Sequence, residues 1–152
     1  MDLKDYIRSI KDYPKKGILF RDITTLIKNE TAFEESINQI VERSKKFKID
    51  KIAAIESRGF VFASAVSYIL KKPFIMLRKK NKLPADVHSV DFELEYGTAT
   101  IEVHKDSISE NDSVLIIDDL IATGGTAEAA AKLIEISRGK VVAFIFVINL
   151  FD

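Results

Sequence analysis

Apolar stretches suited to buried strands alternate with helix-like segments along most of the chain. Nearly continuous apolar runs, as expected for strands covered on both faces of a parallel sheet, occur at residues 51–55, 73–77, 114–117 and 140–148. Segments with helical spacing of their apolar residues lie at 31–46, 60–70 and 127–137. This alternation predicts an α/β fold with a mostly parallel central sheet flanked by helices.

Capping patterns indicate where two of the helices begin. Asp2 is placed to cap a short helix over residues 3–10, on which the apolar residues share one face. Thr31 followed by Glu34 matches a capping box, in which each side chain bonds a backbone N–H of the first turn. We therefore expect the second helix to begin at Thr31.

A β-hairpin is predicted between the second and third apolar runs. Residues 90–94 and 98–103 alternate polar and apolar side chains on either side of a short turn that contains Gly97. A hairpin that projects from an α/β core is a candidate mobile lid. In this pattern Glu102 is expected to be a solvent-facing strand residue.

Composition and charge exclude several classes of protein. The chain of 152 residues has 23 basic and 23 acidic residues, so no overall charge attracts it to nucleic acid or membranes. It has no cysteine, which excludes disulfides and thiolate catalysis, and 2 histidines are too few for a His-rich metal centre. The polar N-terminus is unlike a signal peptide, and no apolar run reaches the ~20 residues of a membrane span. We expect one cytoplasmic domain, residues 1–152.

The segment V-L-I-I-D-D-L-I-A-T-G-G-T, residues 114–126, carries the clearest chemistry. Adjacent carboxylates, Asp118 and Asp119, follow a buried strand, and Gly and Thr residues then lead into a helix. A helix N-terminus reached through such a loop offers free backbone N–H groups and a positive dipole end, which suits a phosphate. Because the two acids repel a bare phosphate, the ligand is expected to carry hydroxyls or a shielding cation as well.

Two further strand ends carry residues suited to an anionic ligand. Glu56-Ser-Arg-Gly59 follows the first strand and includes the cation Arg58, while a basic run at 78–82 follows the second. Because ligand loops of an α/β sheet lie at the carboxyl ends of its strands, these segments and 118–126 are predicted to form one composite site.

The 114–126 segment resembles the phosphoribosyl-pyrophosphate motif of the type I phosphoribosyltransferases. The resemblance implies that Asp118 and Asp119 bind the ribose hydroxyls. It also implies that the loop wraps the 5′-phosphate through Ala122, Thr123, Gly124, Gly125 and Thr126. A Walker loop fits less well because the lysine is missing, and there is no G-x-G-x-x-G. The alternative is a structural turn with incidental acids.

In that family the loops after the first two strands bind the diphosphate. By this resemblance the diphosphate contacts are Glu56, Ser57, Arg58, Arg78, Lys79 and Lys82. A non-proline cis peptide, often present in the first loop, would fall between Glu56 and Ser57. Taken alone, Arg58 could instead be a surface helix-start residue and the basic run a solvated face.

Two more segments resemble the adenine phosphoribosyltransferases in particular. G-I-L-F-R-D-I-T matches a hood segment, here about residues 1–27, that implies adenine contacts from Leu19, Phe20 and Arg21. L-E-Y-G matches the flexible lid, about 78–103, and implies Glu95 as general acid/base with Tyr96 as its companion. Taken alone, 18–23 could be an edge strand with a solvated ion pair, and Glu95 a surface carboxylate.

The resemblance covers about residues 3 to 152 and implies a reaction. Adenine and phosphoribosyl pyrophosphate would give AMP and diphosphate, with Mg²⁺ held mainly by the substrate diphosphate and water rather than directly by the protein, in a homodimer. Three alternatives remain: another base (hypoxanthine, xanthine or orotate), a non-catalytic sensor of phosphoribosyl pyrophosphate, or a structural or interaction protein. Family members usually continue beyond I-N-L-F-D with a further helix and strand, so the chain is expected to be naturally short or truncated.

Overall fold

The computed structural model describes residues 1–94, 97–121 and 124–150, which fall into two compact units. The first unit is Met1–Arg43 and the second is Ser44–Asp152. The single domain with a hood and a lid stays a prediction.

The first unit contains a two-stranded sheet and the first helices. Its elements are a 3₁₀ helix at Leu3–Tyr6, strands β1 (Arg8–Lys11) and β2 (Leu19–Asp22), helix α1 (Thr24–Ile27) and most of helix α2 (Glu30–Ser44). Strands β1 and β2 are antiparallel, with Ile10 opposite Phe20.

The predicted helix over 3–10 is wrong beyond its first turn. Asp2 does cap that turn, since its carboxylate accepts the Lys4 N–H at 3.0 Å. The chain then becomes extended at Ile7 and continues as β1. Its backbone groups bond those of β2, a partner more distant along the chain, and this pairing overrides the weak helical spacing.

Helix α2 begins earlier than the capping pattern indicated. The Asn29 side chain accepts the Ala32 N–H at 3.0 Å, and the Asn29 carbonyl accepts the Phe33 N–H at 2.9 Å. Asn29 therefore takes the capping position that the sequence pattern assigned to Thr31.

The second unit is a sheet of 6 strands with two helices. Its elements are β3 (Lys51–Ile55), α3 (Arg58–Leu70), β4 (Phe74–Lys79), β5 (Val87–Leu94), β6 (Gly97–His104), β7 (Ser113–Ile121), α4 (Gly125–Ile136) and β8 (Lys140–Asn149). The strand order is β5-β6-β4-β3-β7-β8. Neighbours from β4 to β8 are parallel, while β6 pairs antiparallel with both β4 and β5. The predicted fold class is confirmed.

The core lies between the parallel strands and the helices. Ile52 of β3 and Ile116 of β7 are fully buried in the centre of the sheet. Phe62 of α3 and Leu133 of α4 are also fully buried, so each helix covers the sheet with one apolar face. This core fixes the strand ends from which the candidate site is built.

The hairpin formed by β5 and β6 extends the sheet rather than standing apart from it. It joins β4 through only the pairs Arg78↔Glu102 and Lys79↔Ile101, and the rest of the hairpin projects beyond that strand end. The predicted exposure of Glu102 is wrong, because this side chain is buried. Both faces of β6 are covered at residues 101–103, and Glu102 lies under its hydrogen-bond partners Asn81 and Ser89.

Strand β8 forms an edge of the sheet. Among the described strands it pairs with β7 alone, and most of its apolar residues are half-buried rather than fully covered as the sequence suggested. Within the described ranges, no helix is long and apolar enough to cross a membrane.

Candidate active site

The three predicted ligand loops meet at one edge of the sheet. Cavities of about 240, 600 and 110 Å³ open there, and Thr126 at the start of α4 lines all three. Asp118 lines the first and third cavities, while Glu56 lines the first and second. The structure therefore brings the ends of β3, β4 and β7 together, as their position in a parallel sheet predicts.

The adjacent acids near the end of β7 form a closely coupled pair. The Asp118 carboxylate accepts the Asp119 N–H at 2.8 Å, and the Arg58 Nε lies 2.9 Å from Asp119 Oδ2. Burial raises the pKa of Asp118 to about 8, and the hydrogen bond and charge of Asp119 add to this effect. Asp118 is thus mostly a neutral acid at pH 7, beside an Asp119 that faces a cation.

Gly59 allows α3 to start directly against this acid pair. A Cβ at position 59 would lie 2.7 Å from Asp118 Oδ1 and 3.2 Å from the Ile117 carbonyl oxygen. These distances are below van der Waals contact, so any side chain here would push Asp118 aside. The sequence motif E-S-R-G therefore needs its glycine for the close approach of two loops.

The start of α4 supplies the candidate phosphate-binding site. Gly124 has a φ of 88°, in the left-handed region that glycine adopts readily, and its carbonyl accepts the Glu128 N–H at 2.9 Å. Helix α4 then begins at Gly125, so its first N–H groups point out of the helix beside Thr126. Ala122 and Thr123, predicted members of this loop, lie outside the described residues.

The loop after β3 supports the basic run. The peptide between Glu56 and Ser57 is cis, as the sequence resemblance indicated. The Glu56 carboxylate accepts the Lys79 N–H at 2.8 Å and the Arg78 Nε at 3.2 Å. Burial favours the neutral acid, but these bonds and the nearby positive charges together hold the pKa of Glu56 below its usual value. Glu56 therefore acts as an anionic support for the cationic loop.

The largest of the three cavities combines a cationic and an apolar wall. Lys79, Lys80 and Lys82 line one part, and Phe92, Leu94 and Ile101 of the hairpin line another. Such a cavity suits a ligand with an anionic group attached to an apolar ring.

The geometry agrees with comparisons to known proteins. Residues 22–149 match the phosphoribosyl transferase domain. The chain is 84% identical over 152 residues to the adenine phosphoribosyltransferase of Pelagibacter ubique, covering 100% of this chain and 87% of that protein. The chain belongs to the adenine phosphoribosyltransferase family.

Solved structures of adenine phosphoribosyltransferases share the fold. The protein from Thermoanaerobacter pseudethanolicus has a TM-score of 0.91 at 41% identity, and the match covers 97% of each chain. The Saccharomyces cerevisiae protein, complexed with adenine and an imino-altritol bisphosphate, has a TM-score of 0.91 at 35% identity. That match covers 97% of this chain and 86% of the yeast chain.

Two predicted catalytic residues lie outside the described residues. They are Glu95, the predicted general acid/base, and its companion Tyr96, which come between β5 and β6 in the sequence. Their roles stay predictions.

The predicted adenine contacts lie in the first unit. Leu19 is exposed, Phe20 packs edge-on against Tyr13 with ring centroids 5.1 Å apart, and the Arg21 guanidinium donates to Ser9 Oγ at 2.6 Å. This segment does form a strand, so the edge-strand alternative is correct as local structure.

The solvated ion pair of that alternative is wrong, because Asp22 is buried and pairs with Arg8 rather than Arg21. Hydrogen bonds from the Thr24 hydroxyl and N–H, together with Arg8, lower the pKa of Asp22 to about 2. Asp22 therefore anchors the end of β2.

Sequence analysis missed two contributors to the site. Lys80 lines the largest cavity beside the predicted lysines, and its place inside the R-K-K-N-K run could have suggested this. Gly59 was included only as part of a motif, and its contact with Asp118 joins two segments far apart in the chain.

Proposed function

We propose that this protein transfers the 5-phosphoribosyl group from phosphoribosyl pyrophosphate to adenine, giving AMP and diphosphate. The observation that carries the proposal is the convergence of an acid pair, a helix start and a basic loop around Thr126. A ribose with a phosphate on one side and a diphosphate on the other needs these three kinds of group together. The adenine and bisphosphate bound by the yeast relative support the same pair of substrates.

The acid pair and the helix start are proposed to hold the phosphoribosyl part. Asp118 and Asp119 would accept hydrogen bonds from the ribose hydroxyls, and the negative charge that this pair carries would favour the positive charge that develops on the ribosyl carbon. Backbone N–H groups of the loop 122–126 would bind the 5′-phosphate at the N-terminus of α4. Binding energy at this remote phosphate would orient the reacting carbon.

The basic loops are proposed to bind the departing diphosphate. Arg58, Arg78, Lys79 and Lys82 supply positive charge where negative charge collects as the bond to the sugar breaks. Ser57, on the loop after β3, offers a hydroxyl to the same group. Glu56 takes part indirectly, since its bonds to Arg78 and Lys79 hold that loop in place.

Magnesium is part of the proposal as a companion of the diphosphate. Within residues 1–94, 97–121 and 124–150, no cluster of three or more acidic or histidine side chains could hold a metal. The ion is proposed to be held mainly by the substrate diphosphate and water rather than directly by the protein. When bound with the substrate, the ion would neutralise part of the diphosphate charge.

Adenine recognition and proton transfer are assigned to two further segments. We assign adenine contacts to Leu19, Phe20 and Arg21, whose ring and backbone groups suit a flat heterocycle with hydrogen-bonding edges. We assign general acid/base catalysis to Glu95, with Tyr96 beside it. Lid closure over the site would keep water from the reactive sugar.

A cytoplasmic homodimer completes the proposal. The outer face of α3 leaves Val61, Tyr68 and Ile69 exposed, and Tyr68 has 86% of its surface accessible, which supports a contact with a second copy. A charged sugar diphosphate does not cross a membrane unaided, so the protein that uses it should share its compartment. Sedimentation would test the dimer directly.

A panel of bases tests the proposed function. The purified protein, Mg²⁺ and phosphoribosyl pyrophosphate are incubated separately with adenine, hypoxanthine, guanine, xanthine or orotate, and nucleotides are separated by chromatography. AMP from adenine alone is expected. Product from another base instead would refute adenine as the substrate, and donor binding without any product would indicate a sensor.

A further inference from the structure

Glu102 of β6 is a buried carboxylate at the junction of three strands. It lies opposite Ser89 of β5 on one side and Arg78 of β4 on the other, and only 7% of the residue is exposed. A buried charge needs hydrogen-bonding partners to offset its lost hydration. The hydrogen-bond partners of Glu102 connect the hairpin to the basic loop.

The carboxylate binds one group from each of those segments. One oxygen accepts the Asn81 N–H at 2.9 Å, and the other accepts the hydroxyl of Ser89 in a short hydrogen bond. These two bonds, the Ser89 bond first, lower the pKa of Glu102, and the charge of Lys80 adds to the effect. Glu102 is therefore ionised at neutral pH with both oxygens occupied.

Asn81 is the residue at which the basic loop turns. Its φ is 67°, a left-handed conformation that asparagine tolerates better than most residues, and the Lys82 N–H bonds back to the Lys79 carbonyl at 3.3 Å. The hydrogen bond from the Asn81 N–H to Glu102 restrains the backbone of this turn. The lysines on either side of Asn81 line the cavity of about 600 Å³.

Two carboxylates, one buried and one partly buried, thus hold alternate N–H groups of the same loop. Glu56 holds that of Lys79 from the β3 side, and Glu102 holds that of Asn81 from the hairpin side. We propose that Glu102 is a positioning residue for the diphosphate site, which acts through the Asn81 backbone to aim Lys79, Lys80 and Lys82 at the substrate. The inference rests on the proposed function for the identity of that substrate.

The test measures binding of phosphoribosyl pyrophosphate with Mg²⁺ by calorimetry, which does not depend on turnover. Glu102→Ala removes both hydrogen bonds, and Glu102→Asp keeps the charge but withdraws it from Asn81. Each is expected to weaken donor binding about tenfold, because a held backbone donor loses its acceptor. Glu102→Gln keeps an acceptor for Asn81 and is expected to restore affinity to within about twofold.

The matched control is Asp91→Ala on the same hairpin. Asp91 accepts the Thr100 hydroxyl at 2.6 Å, so it is also a cross-strand carboxylate–hydroxyl pair, but it does not touch the basic loop. Donor affinity close to wild type is expected. In steady-state kinetics, Glu102→Ala and Glu102→Asp should raise the KM for the donor while leaving the KM for adenine and kcat close to wild type.

Several outcomes would overturn the inference. One is a folded Glu102→Asp variant that binds the donor as tightly as the wild type. Another is a Glu102→Gln variant that loses as much donor affinity as Glu102→Ala. The third is an Asp91→Ala variant that loses as much donor affinity as Glu102→Ala. If Glu102→Ala does not fold, Glu102→Asp and Glu102→Gln decide the matter. A wild-type protein that binds the donor but forms no AMP would refute the proposed function and leave this test of Glu102 intact.

Discussion

Replacing Asp118 by asparagine should make the protein more stable at neutral pH while damaging its site. The folded protein raises the pKa of Asp118 to about 8 from an ordinary value of 3.8. Between these two values the folded chain keeps a proton that the unfolded chain releases. The free energy of unfolding therefore falls as the pH rises through this range.

The size of the effect follows from the single proton involved. One proton corresponds to about 1.4 kcal/mol per pH unit, so Asp118 costs about 2.5 kcal/mol of stability between pH 5 and pH 7. Asparagine resembles the neutral acid and does not titrate. The difference between the unfolding free energies of the variant and the wild type should therefore grow by about 2.5 kcal/mol from pH 5 to pH 7.

Urea unfolding followed by circular dichroism at pH 5, 6 and 7 would measure this difference. The two chains share every other titratable group, so the difference between their profiles isolates Asp118. Asp106→Asn, at an exposed turn, is the control and should follow the wild-type profile. Parallel profiles for wild type and Asp118→Asn would refute the assignment of a buried, protonated Asp118.

The other predictions concern catalysis, packing and the first unit. Glu95→Gln should lower turnover by about 10²–10⁴-fold without weakening donor binding, and wild-type turnover would remove Glu95 from its role. Gly59→Ala should lower the unfolding free energy by about 1–3 kcal/mol and weaken donor binding, because the new methyl group displaces Asp118; calorimetry and urea unfolding would detect both. Asp22→Asn should lower the unfolding free energy at pH 7, because the ionised, paired carboxylate stabilises the fold above its ordinary pKa. This loss should vanish as the pH falls through about 2. A difference in unfolding free energy that does not change with pH would contradict the ionic role of Asp22.

Much of the parallel sheet, and the edge of it that carries the candidate site, could be predicted because the sequence patterns that indicate them are local. Asp118, Asp119 and Thr126 sit within one strand–loop–helix segment, so spacing along the chain already sets their positions. Arg58 and the basic run follow their own strands in the same way. Parallel strands then bring these ends to one edge without further information.

The errors arose where structure depends on partners distant in the chain. Glu102 is buried because Asn81 and Ser89, from two other segments, close over it, and no periodic pattern contains that contact. Residues 8–11 form a strand because residues 19–22 pair with them. Likewise β8 is apolar enough to be central but has only one neighbour in the sheet.

The close approach of Gly59 to Asp118 has an evolutionary consequence. Two positions separated by most of the second unit share one small volume, so a change at either one restricts the other. A larger residue at 59 favours a shorter one at 118, and that exchange removes the carboxylate that we propose for ribose binding. We expect the two positions to vary together among descendants of this fold. A lineage that has replaced the glycine should be one that no longer binds the ribose at this acid.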